Sequence, residues 1–118
     1  MARKDELGRR GEQVAADWLE ALGYRVVDRN WRCRTGELDL VLRKGRTLVF
    51  AEVKTRSSLD FGHPFEAITE QKGARLRRLA AQWCRDHGPF AGEVRIDAVA
   101  VTDAWSEKPK VEHLTGIV

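Results

Sequence analysis

The chain has 118 residues, enough for one hydrophobic core but not for two, which predicts a single domain over residues 1–118. Its 42% hydrophobic and 33% charged residues are typical of globular proteins and exclude the disordered and membrane-spanning classes, and since the N-terminus lacks the apolar stretch of a signal peptide we expect a cytoplasmic protein. The formal net charge of +3 is mildly basic, but the remaining surface is more positive if several of the 18 acidic residues are committed to a metal centre, as suits a polyanionic partner.

The first periodic segment spans about residues 5–22 and predicts an amphipathic helix that ends at Gly23. Gly8 and Gly11 each weaken a helix by about 1 kcal/mol relative to alanine, so close approach by another element would explain them. Glu12 lies at the edge of the apolar stripe. It either extends into solvent or reaches a charged centre between helix and sheet, and the sequence leaves both alternatives open.

Residues 24–30 then predict a strand, and residues 31–36 predict a loop. In this loop Trp31 stands among Arg29, Arg32 and Arg34, a mixture suited to stacking on bases and pairing with phosphates. Tryptophan is more often buried, so packing in the core is the favoured interpretation of Trp31.

Two apolar segments, residues 36–42 and 48–54, carry charges where a core is expected. Because side chains alternate along a strand, Glu37 and Asp39 share one face of the first segment, and Glu52 and Lys54 share one face of the second. The opposite face of the first segment would carry Leu38, Leu40 and Leu42.

The turn between these strands is predicted either at Lys44-Gly45 or over the four residues 43–46, and both alternatives give the same register of the hairpin. Asp39 then lies opposite Phe50 and diagonally across from Glu52. The backbones at such a diagonal are roughly 7–8 Å apart, a span that two carboxylates can close around one cation.

Converging acids on a partly buried surface repel one another, so some are protonated or a cation lies among them. A hard divalent cation with oxygen ligands, Mg²⁺ or Mn²⁺, meets that need best, and Lys54 would orient a water or neutralise charge on a phosphate. The alternative is an ordinary solvated face with a weak salt bridge between Glu52 and Lys54. The second segment is apolar on both faces, as in a covered central strand, which favours the functional interpretation.

Residues 55–67 lose periodicity and predict a long loop that covers or borders the charged strands. Residues 69–86 predict a second helix with Thr69 as N-cap and Gly88-Pro89 as its end. Lys72 falls on its inward face, where it would need an acidic partner or an anionic ligand, and Gln71 is its neighbour. Four arginines on the remaining surface favour phosphate binding over a plain solvated face. They are Arg75, Arg77, Arg78 and Arg85.

Residues 93–101 predict a strand and residues 111–114 a weaker closing one. Asp97 in the first of these supports the site or pairs with an arginine, and the pairing is favoured. Cys33 and Cys84 lack the spacing of a zinc site and are expected to be free thiols. The three histidines share no spacing and receive no predicted role.

The chain resembles, over almost its whole length, the YraN-like family of small bacterial proteins, and through it the PD-(D/E)xK nuclease superfamily of restriction enzymes and Holliday junction resolvases. The motifs that carry the resemblance are Gly8-x-x-Gly11-Glu12, Gly23-Tyr24, Asn30-x-Arg32, Gly36-Glu37-Leu38-Asp39-Leu40, Phe50-Ala51-Glu52-Val53-Lys54-Thr55-Arg56, Phe61-Gly62-x-Pro64 and Arg95-x-Asp97.

The resemblance implies a mixed α+β, restriction endonuclease-like fold, with a central mixed five-stranded sheet flanked by helices. It implies that Asp39 and Glu52 are metal ligands, that Lys54 is the catalytic lysine and that Glu12 is an assisting acid. Lys72, with Gln71, matches a helix position that some relatives use near the site. Many relatives act as dimers, which raises pairing of two copies of this chain.

These observations lead to the hypothesis of a Mg²⁺-dependent endonuclease or exonuclease that acts on nucleic acid, with DNA ahead of RNA and branched or structured DNA among the candidate substrates. Besides Lys72 and the helix arginines Arg75 and Arg78, the residues expected to grip the phosphate backbone are Arg32 and Arg56, while Glu37 supports the centre. The rival hypothesis is a non-catalytic nucleic-acid-binding module on a nuclease scaffold. A third is an interaction protein that uses the scaffold only as a surface.

Overall fold

The protein folds into one five-stranded sheet with a helix on each face. The computed structural model describes the backbone of residues 3–57 and 62–118, and the side chains of the first helix from Glu6 onward. The elements in chain order are α1 Arg3–Ala21, β1 Arg25–Cys33, β2 Gly36–Lys44, β3 Thr47–Arg56, a short 3₁₀ helix Pro64–Ala67, α2 Glu70–His87, β4 Glu93–Thr102 and β5 Lys110–Leu114. None of the described helices is both long enough and apolar enough to cross a membrane.

The spatial order of the strands follows the chain order, from β1 to β5. β3 and β4 are parallel and joined through α2, while the other three neighbouring pairs are antiparallel. The mixed five-stranded sheet expected from the sequence is thereby confirmed, and it is compatible with a restriction endonuclease-like fold.

Each helix buries its apolar face against one side of the sheet. Val14, Ala15 and Leu19 of α1 pack with Leu40 and Val49 on one side. On the other side, the cluster under α2 contains Leu76, Leu79, Trp83, Phe50 and Ile96. β3 is therefore covered on both faces, and a charged side chain on it must find a partner within the protein.

Local signals in the sequence determine where the helices end. α1 stops at Gly23, whose φ of 97° belongs to the left-handed region that favours glycine. α2 starts after Thr69, whose hydroxyl accepts a hydrogen bond from the Lys72 amide at 3.2 Å, and it ends at Gly88. The predicted caps of both helices are confirmed.

Gly11 is the point at which α1 comes closest to the sheet. A Cβ placed on Gly11 would overlap the side chain of Thr55 in β3, whereas a Cβ on Gly8 would meet nothing within 4 Å. The predicted close approach holds for Gly11 and was wrong for Gly8.

The predicted loop at residues 31–36 was wrong, because β1 continues through Cys33. Trp31 lies opposite Leu38 and Arg32 opposite Glu37, so the two strands stay paired almost to the turn. The register of β1 against β2 shifts between Val26 and Asp28, and Asn30 has a positive φ of 50°. The arginines obscured the strand because β1 is an edge strand, whose exposed side tolerates charge.

The hairpin register also differs from the prediction. The turn is formed by Gly45 and Arg46, so that Lys44 faces Thr47. Gly45 has a φ of 59° at the first turn position, where a two-residue hairpin turn of type II′ needs glycine. The register is shifted by two residues, which keeps the faces but brings Asp39 level with Glu52 instead of diagonal to it.

Regular alternation in β2 breaks down around Asp39. Leu38 packs with Val41 in the cluster under α2, whereas Leu40 and Leu42 pack under α1. The prediction that all three leucines share a face was therefore wrong for Leu38. Paired residues of β2 and β3 begin at Leu40, so Asp39 stands where the two strands start to separate.

Candidate active site

Asp39 lies next to the point at which the backbone pairing of β2 with β3 ends. Its Oδ2 accepts a hydrogen bond from the Val53 amide at 2.8 Å, so the side chain satisfies a donor of β3 at the end of the ladder. Burial, followed by the negative charge of Glu52, raises the pKa of Asp39 from 3.8 to about 7, although the Val53 hydrogen bond opposes the shift. An ionised Asp39 at this position therefore lacks sufficient positive charge around it.

Glu52 is buried in the middle of β3, with 8% of its surface exposed. The Nζ atom of Lys72 lies 3.0 Å from its Oε1, and that of Lys54 lies 3.4 Å from the same oxygen. Lys54 follows two residues later on the same strand, and α2 brings in Lys72 from its first turn. A buried carboxylate thus receives two ammonium partners from different elements, as its desolvation requires.

The two lysines also interact with each other. Burial and a hydrogen bond with Lys72 lower the pKa of Lys54, and the charge of Glu52 only partly offsets this. Burial would lower the pKa of Lys72 as well, but hydrogen bonds with Lys54 and Glu52 outweigh it and raise the pKa. Burial therefore makes the Lys54 ammonium lose its proton more readily than that of an exposed lysine.

Glu12 of α1 is partly buried and lies close enough to the acids of this centre to be affected by their charge, which favours the second of the two alternatives that its sequence position left open. Burial, then the charge of Glu37, raises the pKa of Glu12, and Glu52 adds to the shift, while a hydrogen bond with Asn30 opposes it. Glu37 itself lies at the rim, where its Oε2 is 2.7 Å from Nε of Arg32. The four acids therefore belong to one electrostatic cluster.

The donor set suits a two-carboxylate cation site. Asp39 and Glu52 supply hard oxygen atoms at neighbouring positions, and the raised pKa of Asp39 shows that negative charge there is under-compensated. Among the described side chains, those of residues 6–57 and 62–118, no three of His, Cys, Asp or Glu converge on one point, as a metal site made of protein ligands alone requires. Mg²⁺ commonly takes only one or two carboxylates and completes its shell with water and phosphate oxygens, so the two acids fit it.

A basic groove runs along α2 beside the centre. It encloses about 410 Å³ and is lined by Thr69, Gln71, Lys72, Arg75 and Arg78. Lys72 belongs both to this groove and to the acid cluster, whereas Gln71 lines the groove without contacting an acid of the cluster. Three of the predicted phosphate-binding residues thus share one surface with the candidate centre.

The other two predicted phosphate-binding residues lie apart from this groove. Arg32 is an exposed residue of the edge strand β1 and is held by Glu37. Arg56 ends β3 two residues after Lys54, and its Nη1 donates a hydrogen bond to the Thr55 carbonyl at 3.1 Å. Residues 58–61, part of the loop predicted to border the site, lie outside the described residues.

Asp97 pairs with an arginine, as predicted. The fully buried carboxylate accepts hydrogen bonds from Nε and Nη2 of Arg95, both at 2.9 Å, and from the Gly116 amide at 3.0 Å. Burial would raise the pKa of Asp97, but these hydrogen bonds and one from His113 outweigh it and hold the pKa below its usual value.

Sequence reasoning missed the role of His113, whose Nε2 lies 2.7 Å from Asp97 and whose ring packs edge-on against Trp18 and Tyr24. No spacing in the sequence indicated this contact, because β5 brings His113 to β4 only through the sheet. Trp31 packs against the cluster under α2, as the favoured interpretation predicted. Cys33 and Cys84 are free thiols, also as predicted.

Comparison with known proteins places the chain in a family. Residues 11–101 match the model of the Uncharacterised protein family UPF0102. The chain belongs to this family. It is 60% identical to the UPF0102 protein of Leifsonia xyli over 118 residues, which cover 100% of both chains. UPF0102 proteins of Beutenbergia cavernae and of an Arthrobacter species are 62% and 57% identical over 117 residues, which cover 99% of each chain.

The match confirms the resemblance to the YraN-like family. The matched range of UPF0102 contains Glu12, both strands of the acid cluster and Lys72. Membership of the PD-(D/E)xK superfamily stays a prediction.

Proposed function

We propose that this UPF0102 protein is a metal-dependent nuclease that hydrolyses phosphodiester bonds in nucleic acid, with DNA as the favoured substrate. The observation that carries the proposal is the juxtaposition of Asp39 and Glu52 with Lys54 and Lys72 in a partly buried site. The basic groove of α2 opens beside it and suits a phosphate backbone.

The chemistry follows from the charges of these residues. Asp39 and Glu52 would hold Mg²⁺ or Mn²⁺, which when bound supplies Lewis-acid activation of the scissile phosphate and of an attacking water. Lys54 lies close enough to Glu52 to orient that water or to stabilise negative charge developing on the phosphate.

The remaining residues of the cluster hold this arrangement in place. Lys72 neutralises Glu52 and connects the centre to the groove, where Arg75 and Arg78 would bind adjacent phosphates. Glu12 lies at the α1 side of the cluster, where its carboxylate would accept a hydrogen bond from a water or, when protonated, its carboxyl group would donate one to the leaving oxygen. Arg32 and Arg56 would contact phosphates at the rim.

The test is a cleavage assay on a panel of linear, flapped and four-way-junction DNA and matched RNA, with Mg²⁺, Mn²⁺ or EDTA. We expect metal-dependent cleavage of at least one DNA substrate, loss of cleavage in Asp39→Asn and Glu52→Gln, and a large loss in Lys54→Ala. Glu93→Gln is the matched control, since Glu93 is an exposed acid at the opposite end of β3 and β4. Cleavage by Asp39→Asn at the wild-type rate would refute the assignment.

A non-catalytic nucleic-acid-binding module is the second candidate. The observation that favours it is that Lys54 and Lys72 already neutralise Glu52 without a metal ion. It predicts salt-dependent DNA binding with no cleavage of any substrate, and no effect of Mg²⁺ on the melting temperature. The nuclease proposal predicts the reverse for cleavage and for the metal-dependent melting temperature.

A further inference from the structure

Trp105 is the most exposed large apolar side chain among the described residues, with 67% of its surface accessible. It lies in the turn between β4 and β5, next to Ala104, which is buried under α1. Tryptophan usually buries most of its ring. An exposed indole next to a buried residue of the same turn is therefore a candidate contact surface for a binding partner.

Arg10 of α1 fixes this turn and accompanies the indole. Its Nε donates a hydrogen bond to the Ala104 carbonyl at 2.9 Å, and its guanidinium carbon lies 6.0 Å from the centre of the Trp105 ring. The guanidinium approaches the indole from one side, and the large exposed fraction of Trp105 leaves the other side open. Aromatic rings accompanied by arginine are the platforms on which unpaired bases stack.

The platform lies at the same end of the sheet as the candidate active site. The Asp103 amide donates to the Arg56 carbonyl at 3.2 Å, which ties the turn to the last residue of β3. A strand rises about 3.3 Å per residue, so Arg56 lies roughly 7 Å beyond Lys54 along β3. Trp105 and Arg10 lie on the α1 side of the sheet, whereas Lys72 and its groove lie on the α2 side. A strand of nucleic acid would therefore reach Trp105 from the centre by passing around the end of β3 at Arg56.

From this geometry we infer that Trp105 and Arg10 form a stacking subsite for an unpaired base of the nucleic acid whose backbone is held at the Asp39–Glu52 centre. The inference rests on the proposed function for the identity of the ligand, and it deepens it by naming the substrate class. That class is nucleic acid with unpaired nucleotides beside the bound phosphate, such as a single strand, a flap or a frayed end. A base within an intact duplex is already stacked on its neighbours and has no free face to offer.

The test measures binding without cleavage. The affinity of a fluorescently labelled 20-nucleotide single-stranded DNA, and of a blunt duplex of the same length, is determined by anisotropy in EDTA for the wild type, Trp105→Ala, Trp105→Phe and Arg10→Ala. An RNA single strand forms a third arm. Arg43→Ala is the matched control, because the guanidinium of Arg43 lies 5.1 Å from the ring of Phe90 at the opposite end of the sheet.

We expect Trp105→Ala to weaken single-strand binding by about 5- to 100-fold, which corresponds to about 1–3 kcal/mol per stacked base at about 1.4 kcal/mol per tenfold. Trp105→Phe should retain most of the affinity, Arg10→Ala should lose part of it, and Arg43→Ala should bind like the wild type. Duplex affinity should be unchanged by both Trp105 variants, and their melting temperatures should match the wild type because the ring is exposed.

Three results would overturn the inference: no single-strand binding by the wild type, equal single-strand affinity of Trp105→Ala and wild type, or equal loss on single strand and duplex. The nuclease proposal fails separately, through the absence of metal-dependent cleavage in the substrate panel. Single-strand binding that depends on Trp105, without any cleavage, would leave the stacking subsite standing and reject the nuclease.

Discussion

Asp39→Asn is expected to make the metal-free protein more stable at alkaline pH, even though it removes a proposed metal ligand. The asparagine keeps the size of the side chain and an oxygen that accepts the hydrogen bond from the Val53 amide. It removes the negative charge that burial and Glu52 disfavour. A substitution that removes a functional group and stabilises the folded protein is typical of a binding site, where charges that repel one another are compensated only by the bound ligand.

The magnitude follows from the pKa. In the unfolded chain Asp39 titrates near 3.8 and in the folded protein near 7, so between these values the folded state binds an additional proton and the free energy of unfolding falls as pH rises. Each pKa unit is worth about 1.4 kcal/mol, which gives about 4 kcal/mol for about three units. We expect a gain of up to about 4 kcal/mol at pH 8 and almost none near pH 4, where Asp39 is already protonated in the folded protein.

The assay is urea denaturation in EDTA at pH 4, 6 and 8, followed by circular dichroism. Glu93→Gln is the control for exchanging an acid for an amide, because Glu93 is exposed and its nearest partner, Thr47 Oγ1, is 3.4 Å away. No gain of stability in Asp39→Asn at pH 8 would show that the charge of Asp39 does not destabilise the folded protein. An equal gain at pH 4 and pH 8 would also contradict the prediction, since the effect would then come from packing and not from charge.

Two further predictions concern stability away from the centre. Asp97→Asn should lower the free energy of unfolding at pH 7 by about 3–5 kcal/mol in urea denaturation, because it removes the negative charge that Arg95 and His113 contact. Since the pKa of Asp97 is lowered in the folded protein, the stability that its carboxylate contributes should be lost as pH falls below about 4. A variant as stable as the wild type at pH 7 would contradict this prediction. Gly11→Ala should lower the free energy of unfolding because the new methyl group overlaps Thr55. Gly8→Ala should raise it by up to about 1 kcal/mol, the difference in helix propensity between the two residues. Equal effects of the two substitutions in urea denaturation would contradict the close approach of Gly11 to Thr55.

Much of the fold could be predicted from the sequence because local signals and global packing agree. Gly23, Thr69 and Gly88 lie at helix ends, where their conformational or hydrogen-bonding properties are needed. β3 and β4 are apolar on both faces because helices cover both sides of the sheet. The continuation of β1 was missed because Trp31 and its arginine neighbours resemble a loop, and only the pairing with β2 shows them to be a strand.

The candidate site was predictable in its membership but not in its geometry. The alternation of side chains along each strand, together with the predicted hairpin, placed Asp39 and Glu52 on the same face of neighbouring strands. The error in register was two residues, an even number, so it did not move either side chain to the other face. The break in alternation at Asp39 could not be anticipated, because it depends on where β2 and β3 separate. The sequence predicted that Lys72 needs an acidic partner or an anionic ligand, but it did not identify Glu52 as that partner, because Glu52 lies on a strand that is distant from Lys72 in sequence.

The most direct test of the account is calorimetric titration of Mn²⁺ into the wild-type protein, Asp39→Asn and Glu52→Gln at pH 8, with Glu93→Gln as control. We expect a single Mn²⁺ bound per wild-type and control chain, and loss of this binding in both site variants. Binding of equal strength in all four proteins, or no binding to the wild type, would contradict the claim that Asp39 and Glu52 share a divalent cation.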